Sequence, residues 1–347
     1  MYDVLHAVDP LADRALDDDG STSVHPVTAP ITVHVGYWKT ATTTLQSDVF
    51  PRVAGCTFLT RSRVGNGQLV GALANNLCRA DDAHFLGATL GSFLREVAVP
   101  GLPTLLSHEA FAGAAFQAMY NRDRNAERLH RVLPSASILV VVRHQRTMLR
   151  SLYNYYVQRG GHASLAEFLG GNVPGCDFRL EALWYDETVA LYQGLFGAGR
   201  VKVIPYELLT TAPSRFLTEV LEFIGVVAPS PESASRVANR GLSRPSRWVL
   251  RGTNRLFRSS VFNEHPLVGP LANDGPVHLL QRRVDPRFVP DAMRGFSAAD
   301  EARLDSVMAS FVESNRRLEQ LCGPLVASFE YPGTGSRKAS VDGVASA

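Results

Sequence analysis

The sequence has few cysteines, and their spacing suits neither a metal site nor a disulfide framework. Only four occur in 347 residues, and no two form a CxxC pair. They are Cys56, Cys78, Cys176 and Cys322. Such spacing argues against a zinc-ribbon or disulfide-rich protein and favours reduced thiols, as in a cytosol.

An excess of one charge and a long apolar run are also missing. The formal net charge is +2, which gives no basic footprint for nucleic acid. No apolar run reaches the roughly 18 residues of a membrane-spanning helix. Near the start stand the acidic residues Asp17–Asp19, where a secretory signal would be basic. We therefore expect no nucleic-acid partner, no transmembrane segment and a cytoplasmic location.

What the sequence does contain is enough apolar residues, 45%, for a large core. Its length alone would allow two domains. Residues 1–28 are acidic and then rich in Ser, Thr and Pro, and residues 332–347 are rich in Gly, Ser and Ala. These compositions predict a disordered leader and a disordered tail around a folded region at 29–331.

The strongest signal is a short apolar run that ends in a glycine and a lysine. Ile31–Val35 is β-branched and predicts a buried strand, which Gly36 ends. Lys39 is followed by four threonines within five residues, and a helix is predicted from Thr42 to about Val49. A strand, a glycine turn and a helix start direct backbone N–H groups and a positive dipole at an anion. A phosphate or sulfate group is expected here.

This loop is not a Walker A loop, because it lacks the second glycine and the spacing of Gly-x-x-x-x-Gly-Lys-Ser/Thr. It resembles instead the 5′-phosphosulfate loop of PAPS-dependent sulfotransferases, in the bacterial pattern His-Ile-Gly-x-x-Lys-Thr-Gly-Thr-Thr-x-Leu-Gln. The matching residues are His34, Val35, Gly36, Lys39, Thr40, Thr42, Thr43, Leu45 and Gln46. Ala41 stands where the family usually has glycine, so the backbone there must accommodate a Cβ atom.

A second motif follows the continuous apolar run Ser137–Val142, which predicts a central buried strand. Arg143 comes next, and Ser151 stands eight residues further on. This pairing resembles the family's grip on the 3′-phosphate, and a guanidinium fork with a hydroxyl suits that group. The family usually has Asn-Pro and an aspartate after the arginine, whereas this chain has the more basic 144–146 (His-Gln-Arg).

Two weaker matches complete the expected nucleotide site. Tyr206 follows a predicted strand at 200–205 and begins a segment that resembles the family's Tyr-Glu-x-Leu segment, whose tyrosine lies near the adenine. A packed core tyrosine is nearly as good an interpretation. Arg240 and Gly241 match a basic C-terminal loop only loosely, and a solvated basic helix face explains the arginine-rich stretch 236–258 equally well.

The general base is expected after another short apolar run, around residues 102–107. His108 and Glu109 would stand at the carboxyl end of this predicted strand, where open α/β sheets bind ligands. The resemblance implies a histidine in some relatives and a glutamate in others, so both stay candidates. Alternatively, Ser107 caps the next helix with Glu109 in its first turn.

The resemblance implies an α/β fold with a P-loop-like central parallel sheet flanked by helices on both faces. One nucleotide would contact all three family segments, so we expect a single domain at 29–331. The implied reaction moves a sulfuryl group from PAPS to a hydroxyl acceptor and releases PAP, with no metal. Two alternatives stay open, a P-loop phosphotransferase or NTPase and a non-catalytic nucleotide-binding module. The acceptor is a carbohydrate, a lipid or a small metabolite, and the sequence does not indicate the oligomeric state.

Overall fold

The computed structural model describes residues 30–53, 55–60, 66–99, 101–171, 173–226, 242–268, 289–290, 293 and 295–335. Among these residues the sheet contains five strands, most of them built around a short apolar run. They are β1 (Ile31–Gly36), β2 (Thr57–Thr60), β3 (Thr104–His108), β4 (Ser137–Val142) and β5 (Val201–Pro205). The predicted leader lies outside these residues, as does the tail from residue 336 onward.

The strand order is β2-β3-β1-β4-β5, and every neighbouring pair is parallel. The first strand in the chain is therefore the central one. Val35 lies opposite His108 of β3, and Gly36 lies opposite Val141 of β4. The segments that follow β1, β3 and β4 all leave the sheet at the carboxyl ends of the strands, which is where an open parallel sheet binds its ligand.

The helices in the described residues are short to medium in length. They are α1 (Thr42–Thr44), α2 (Asn66–Arg79), α3 (Gly87–Val97), α4 (Arg122–Val132), α5 (Gln145–Gln158), α6 (Leu165–Leu169), α7 (Tyr185–Phe196), α8 (Tyr206–Thr211), α9 (Pro213–Ile224), α10 (Arg244–Phe257), α11 (Ala298–Ser306) and α12 (Val312–Cys322). α1 continues as a π-helical segment at Leu45–Val49. Within the part of the chain that is described, no helix is both long and apolar enough to span a bilayer.

Alternate residues of the strands enter two apolar cores, one on each face of the sheet. In β4, Val140 belongs to the larger core, and Leu139 and Val141 belong to the smaller one. Residues of α2, α4, α5 and α7 pack in the larger core, and residues of α9 pack in the smaller one. The predicted α/β fold with helices on both faces is confirmed.

Three elements differ from the sequence prediction. β2 was not predicted, because a four-residue strand gives little periodicity. The helical pattern at 65–97 divides into α2 and α3, where the Asn76 amide bonds the backbone of His84 and Leu86 at 2.9 Å each. The predicted terminal helix from residue 297 divides into α11 and α12, and the 3₁₀ turn between them buries Phe311.

Candidate active site

The loop at 37–41 connects β1 to α1, and hydrogen bonds hold it on several sides. Thr40 Oγ1 donates to the Tyr37 carbonyl at 2.7 Å, and Trp38 Nε1 donates to the Gly113 carbonyl at 3.0 Å. The Tyr37 hydroxyl lies 2.5 Å from Thr188 Oγ1 on α7. The loop is thus fixed by its own side chains and by α7.

Two residues of this loop have left-handed backbone conformations that L-residues seldom adopt. Lys39 has φ 67° and Ala41 has φ 60°. Ala41 stands where the family usually has glycine, and its backbone has the left-handed conformation that glycine adopts more easily than alanine. A side chain in that region costs about 1 kcal/mol.

We predict that Ala41→Gly changes the free energy of unfolding by less than about 0.5 kcal/mol, because the relief of the left-handed strain is offset by the entropy that glycine adds to the unfolded chain. Urea unfolding measures this change. The matched control is Ala88→Gly, on the exposed side of α3, which should lower stability by about 0.5–1 kcal/mol. Equal losses at the two positions would contradict the strain at Ala41.

The start of α1 has the features of an anion cradle. A Cβ atom at Gly36 would lie 2.7 Å from Thr42 Oγ1, so only glycine fits without a shift. Thr42 is 6% exposed, and its hydroxyl has no hydrogen-bond partner among the described residues. Ala41, in the cap position, offers no side-chain acceptor to the first N–H groups of α1. A buried hydroxyl and an uncapped helix start suit an oxyanion.

Arg143 follows β4 and contacts the loop directly. Its Nη1 donates to the Lys39 carbonyl at 2.9 Å, and its Nε donates to Thr147 Oγ1 at 3.0 Å. The guanidinium lies 4.5 Å from the Tyr206 ring centroid, a cation–π distance. Lys39, Arg143 and Tyr206 therefore lie next to one another.

Lys39 and Arg143 bring two positive charges together with no carboxylate partner among the described residues. The Lys39 ammonium lies 5.2 Å from the Tyr155 ring centroid, and Arg159 lies 5.4 Å from the same ring. Burial first, and then the charges of Arg143 and Arg159, lower the pKa of Lys39. Two neighbouring cations without a described carboxylate partner, Lys39 and Arg143, favour a bound anion.

Ser151 lies on the second turn of α5, half-buried, four residues from Thr147 and four from Tyr155. These three residues share one face of the helix, because residues four apart lie one above the other. Thr147 contacts Arg143 and Tyr155 contacts Lys39. The register therefore places Ser151 between the two cations, on the face that they occupy.

An aromatic wall, formed by Trp38, Phe116 and Tyr155, borders the loop beside Lys39. The Phe116 and Tyr155 rings stack at 5.6 Å, and Trp38 meets them edge-on at 6.3 and 6.0 Å. Trp38 and Tyr155 are half-buried, which leaves part of each ring accessible. Such surfaces can hold the apolar face of a ligand.

The two candidate bases differ in environment. His108 is 2% exposed, and its Nδ1 accepts a hydrogen bond from the Ala110 N–H at 3.1 Å. A neutral ring that accepts there carries its proton on Nε2, which makes that nitrogen a donor. Glu109 is half-buried, and its carboxylate forms no hydrogen bond or ion pair with another described residue. It is His108 that caps the 3₁₀ turn at Glu109–Ala112, whereas the sequence alternative gave that role to Ser107.

Ser107 instead belongs to a buried polar network under the loop. His34 Nδ1 lies 2.8 Å from Ser107 Oγ, and Gln46 Nε2 donates to the same oxygen at 3.0 Å. His34 and Gln46 were noticed only as members of the family pattern, and their contact needs the pairing of β1 with β3. Burial lowers the pKa of His34 to about 4.

We predict that the folded protein loses about 2 kcal/mol of stability through His34 between pH 7 and pH 5. In the unfolded chain His34 is protonated below about pH 6.5, whereas in the folded protein it stays neutral down to about pH 4. This contribution is complete above the unfolded pKa and is lost as the pH falls. Urea unfolding at the two pH values should show a smaller loss in His34→Asn, and an unchanged loss would contradict the assignment.

The backbone around Arg143 is held by hydrogen bonds to residues that the sequence did not single out. Glu207 accepts from the His144 N–H at 3.0 Å and from the Tyr331 hydroxyl at 2.9 Å. The Tyr185 hydroxyl donates to the Arg143 carbonyl at 2.7 Å. Glu207 stands beside Tyr206 in the family-like segment, which was the available signal.

Arg146 does not add its charge to the site, although it makes the sequence after Arg143 more basic. Its guanidinium donates to Glu301 at 2.9 Å and also pairs with Asp305, both on α11. Arg146 thus joins α5 to α11. The other two candidates, Arg240 and Gly241, lie outside the described residues. No group of three or more His, Cys, Asp or Glu side chains within the described ranges could hold a metal ion.

Residues 73–229 match a family model described as "Sulfotransferase family". This match includes β3, β4 and α5, and so includes His108, Glu109, Arg143 and Ser151, but it begins after the Lys39 loop. The predicted resemblance to sulfotransferases is confirmed over these residues. No curated protein matches the chain.

Solved structures with similarity to the chain include three sulfotransferases. A sulfotransferase from Alicyclobacillus acidocaldarius is 19% identical, with 60% of this chain and 87% of that chain covered and a TM-score of 0.44. Mouse sulfotransferase SULT7A1, complexed with PAP, is 14% identical, with coverages of 85% and 88% and a TM-score of 0.40. The sulfotransferase domain from the curacin biosynthetic pathway is 12% identical, with coverages of 81% and 98% and a TM-score of 0.37.

Proposed function

We propose that this protein is a PAPS-dependent sulfotransferase, which transfers a sulfuryl group to a hydroxyl acceptor and releases PAP. The carrying observation is the 2.9 Å bond from Arg143 to the Lys39 carbonyl, which unites the two family motifs in one cationic site. The Gly36–Thr42 contact and the unpartnered Thr42 hydroxyl fit the phosphosulfate end of the donor. Arg143 and Ser151 fit its 3′-phosphate, and Tyr206 fits the adenine side.

Each residue would have a separate task. PAPS would supply the sulfuryl group, whose bond to the phosphate breaks as a new bond to the acceptor oxygen forms. Lys39 would neutralise the charge that develops on the departing phosphate. Thr40 and Ala41 would hold that phosphate through backbone N–H groups, and Thr42 and Thr43 through hydroxyl and N–H groups. The lowered pKa of Lys39 would rise again beside such an anion, which keeps the ammonium charged.

We assign the general base to Glu109, because its carboxylate is partly accessible whereas His108 is buried with its Nδ1 occupied. Glu109 would accept the hydroxyl proton of the acceptor as the oxygen attacks. The aromatic wall beside Lys39 would hold an apolar ring or sugar face of the acceptor. A carbohydrate, a lipid and a small metabolite can each present such an apolar face.

We predict that Glu109→Gln lowers kcat by about 10²–10⁴-fold and leaves PAP affinity unchanged, since only proton transfer is lost. The comparison variant is His108→Asn, which should keep most activity but unfold more easily, because the cap at Ala110 is weakened. Steady-state kinetics, PAP titration and urea unfolding measure the three quantities. The reverse pattern, with activity lost only in His108→Asn, would move the base to His108.

Calorimetric titration tests the donor directly. The protein is titrated with PAP and, separately, with ATP and Mg²⁺. We expect micromolar PAP binding that needs no metal, because two cations and a helix start can neutralise its phosphates. Binding of ATP with Mg²⁺ but not of PAP would support the phosphotransferase alternative instead.

A further inference from the structure

The surface formed by α10 and the segment after it exposes several large apolar side chains. We call it the α10 surface and define it by side chains that are 37–75% exposed. They are Trp248, Val249, Leu256, Val261, Leu267 and Val268. Single exposed apolar residues are ordinary, but a group of six within 21 positions indicates an interaction surface.

Backbone hydrogen bonds bring part of this group together. The Leu267 N–H donates to the Arg255 carbonyl at 3.1 Å, and the Val268 N–H donates to the Leu256 carbonyl at 2.8 Å. Residues 267–268 therefore lie against the end of α10, next to Leu256. The apolar surface is continuous from the helix to the segment that follows.

The opposite side of α10 is buried against the rest of the protein. Leu250 and Asn254 are buried there, and the Asn254 amide donates to the carbonyls of Val157 and Gly161 at 2.8 and 2.9 Å. The packing of α10 against the end of α5 therefore fixes which side faces outward. Trp248, at 75% exposed, is on the outward side.

The charge around this apolar group is mostly positive. Residues 244–268 contain five arginines and a single acidic residue, Glu264, whereas the whole chain has 35 basic and 33 acidic residues. Arg247 is buried on the opposite side of α10, which leaves four arginines outside the packed side of the helix. At 3.6 residues per turn, Arg251 and Arg255 project beside Trp248 on one edge of the outward face. Neither forms an ion pair with a described carboxylate. Arg251 Nε donates to the His162 carbonyl at 3.1 Å.

We infer that the α10 surface docks onto an anionic lipid bilayer. An outward face with an indole and aliphatic side chains, edged by arginines, is the pattern of helices that lie in the headgroup region. The arginines would contact lipid phosphates while Trp248, Leu256 and residues 267–268 enter the acyl boundary. The charge excess favours this occupant over a second copy of the chain, because two such surfaces would repel each other.

Vesicle co-sedimentation of the full chain tests the inference. The vesicles contain phosphatidylcholine alone or phosphatidylcholine mixed with phosphatidylglycerol. We expect binding to the mixed vesicles, weakened by salt, with a blue shift of tryptophan fluorescence that is lost in Trp248→Ser. Trp248→Ser and the pair Leu267→Ser with Val268→Ser should each reduce binding at least about tenfold, and Arg251→Gln with Arg255→Gln should reduce it about fivefold per arginine.

Two exposed residues elsewhere provide controls. Val99→Ser removes an apolar side chain that is 45% exposed, and Arg79→Gln removes an exposed arginine at the end of α2. Both should bind vesicles like the unmodified protein. Equal vesicle binding by every variant, or no binding to the mixed vesicles, would overturn the inference. Self-association that Trp248→Ser abolishes would also overturn it and assign the surface to a second copy.

PAP titration of each variant separates this inference from the proposed function. None of the substituted residues contacts Lys39 or Arg143, so PAP affinity should be unchanged throughout. Loss of vesicle binding with intact PAP binding locates the effect at the α10 surface. A protein that fails to bind PAP but binds mixed vesicles would overturn the donor assignment and leave the docking surface in place.

Discussion

Lys39→Ala is expected to lower sulfuryl-transfer activity by at least about a hundredfold while the protein stays folded. Removal of a charged group that stabilises developing negative charge typically costs this much or more. The ammonium lies among Arg143, Arg159 and Tyr155, where nothing else on the loop carries a charge. Activity with an acceptor found by screening, measured alongside urea unfolding, gives both quantities.

The stability part of this prediction has its own physical reason. The lowered pKa of Lys39 means that the fold disfavours its charge, through burial and through repulsion by Arg143 and Arg159. Removing that charge should leave the free energy of unfolding unchanged or slightly higher. The control is Lys202→Ala on β5, where a 2.6 Å ion pair with Glu219 is lost and activity should be retained. Turnover like that of the unmodified protein in Lys39→Ala would refute the proposed role.

The sequence was sufficient for those parts of the fold that rest on local pattern. β1 and β4 are β-branched runs with a clear end, and each leads into a motif, so both the strands and the residues after them were predictable. β2 was not, because four residues of mixed polarity between turns have no readable period. The division of the long helical patterns depends on side-chain bonds such as those of Asn76, which composition does not reveal.

The candidate site divides in the same way. Lys39, Arg143 and Ser151 could be named from motif spacing, and the structure brings them to one edge of the sheet. What spacing could not supply is which charges remain uncompensated. Arg146 is one of the three residues that follow Arg143, yet its partner is Glu301, more than 150 positions away. The sequence also could not show that Glu207 accepts a hydrogen bond from the His144 N–H, because that contact requires β5 to lie beside β4.

This difference between Arg143 and Arg146 gives the sharpest test of the donor site. Arg143→Ala should weaken PAP binding by about tenfold to a hundredfold, the usual size of a lost charge-assisted hydrogen bond to phosphate. Arg146→Ala should leave PAP affinity unchanged and reduce stability, because its bonds go to Glu301 and Asp305 on α11. Calorimetric titration of the two variants with PAP, with urea unfolding for each, measures both effects.

Arg143→Lys distinguishes the shape of the guanidinium from its charge. Arg143 already uses Nη1 on the Lys39 carbonyl and Nε on Thr147, so the planar fork fixes the loop as well as the ligand. A lysine keeps the charge but cannot reproduce both bonds, and we expect it to recover only a small part of the lost affinity. Full recovery would mean that Arg143 acts as a point charge alone. PAP affinity unchanged in both Arg143 variants would exclude this residue from the nucleotide site. The bond from Arg143 to the Lys39 carbonyl would then have a structural role only.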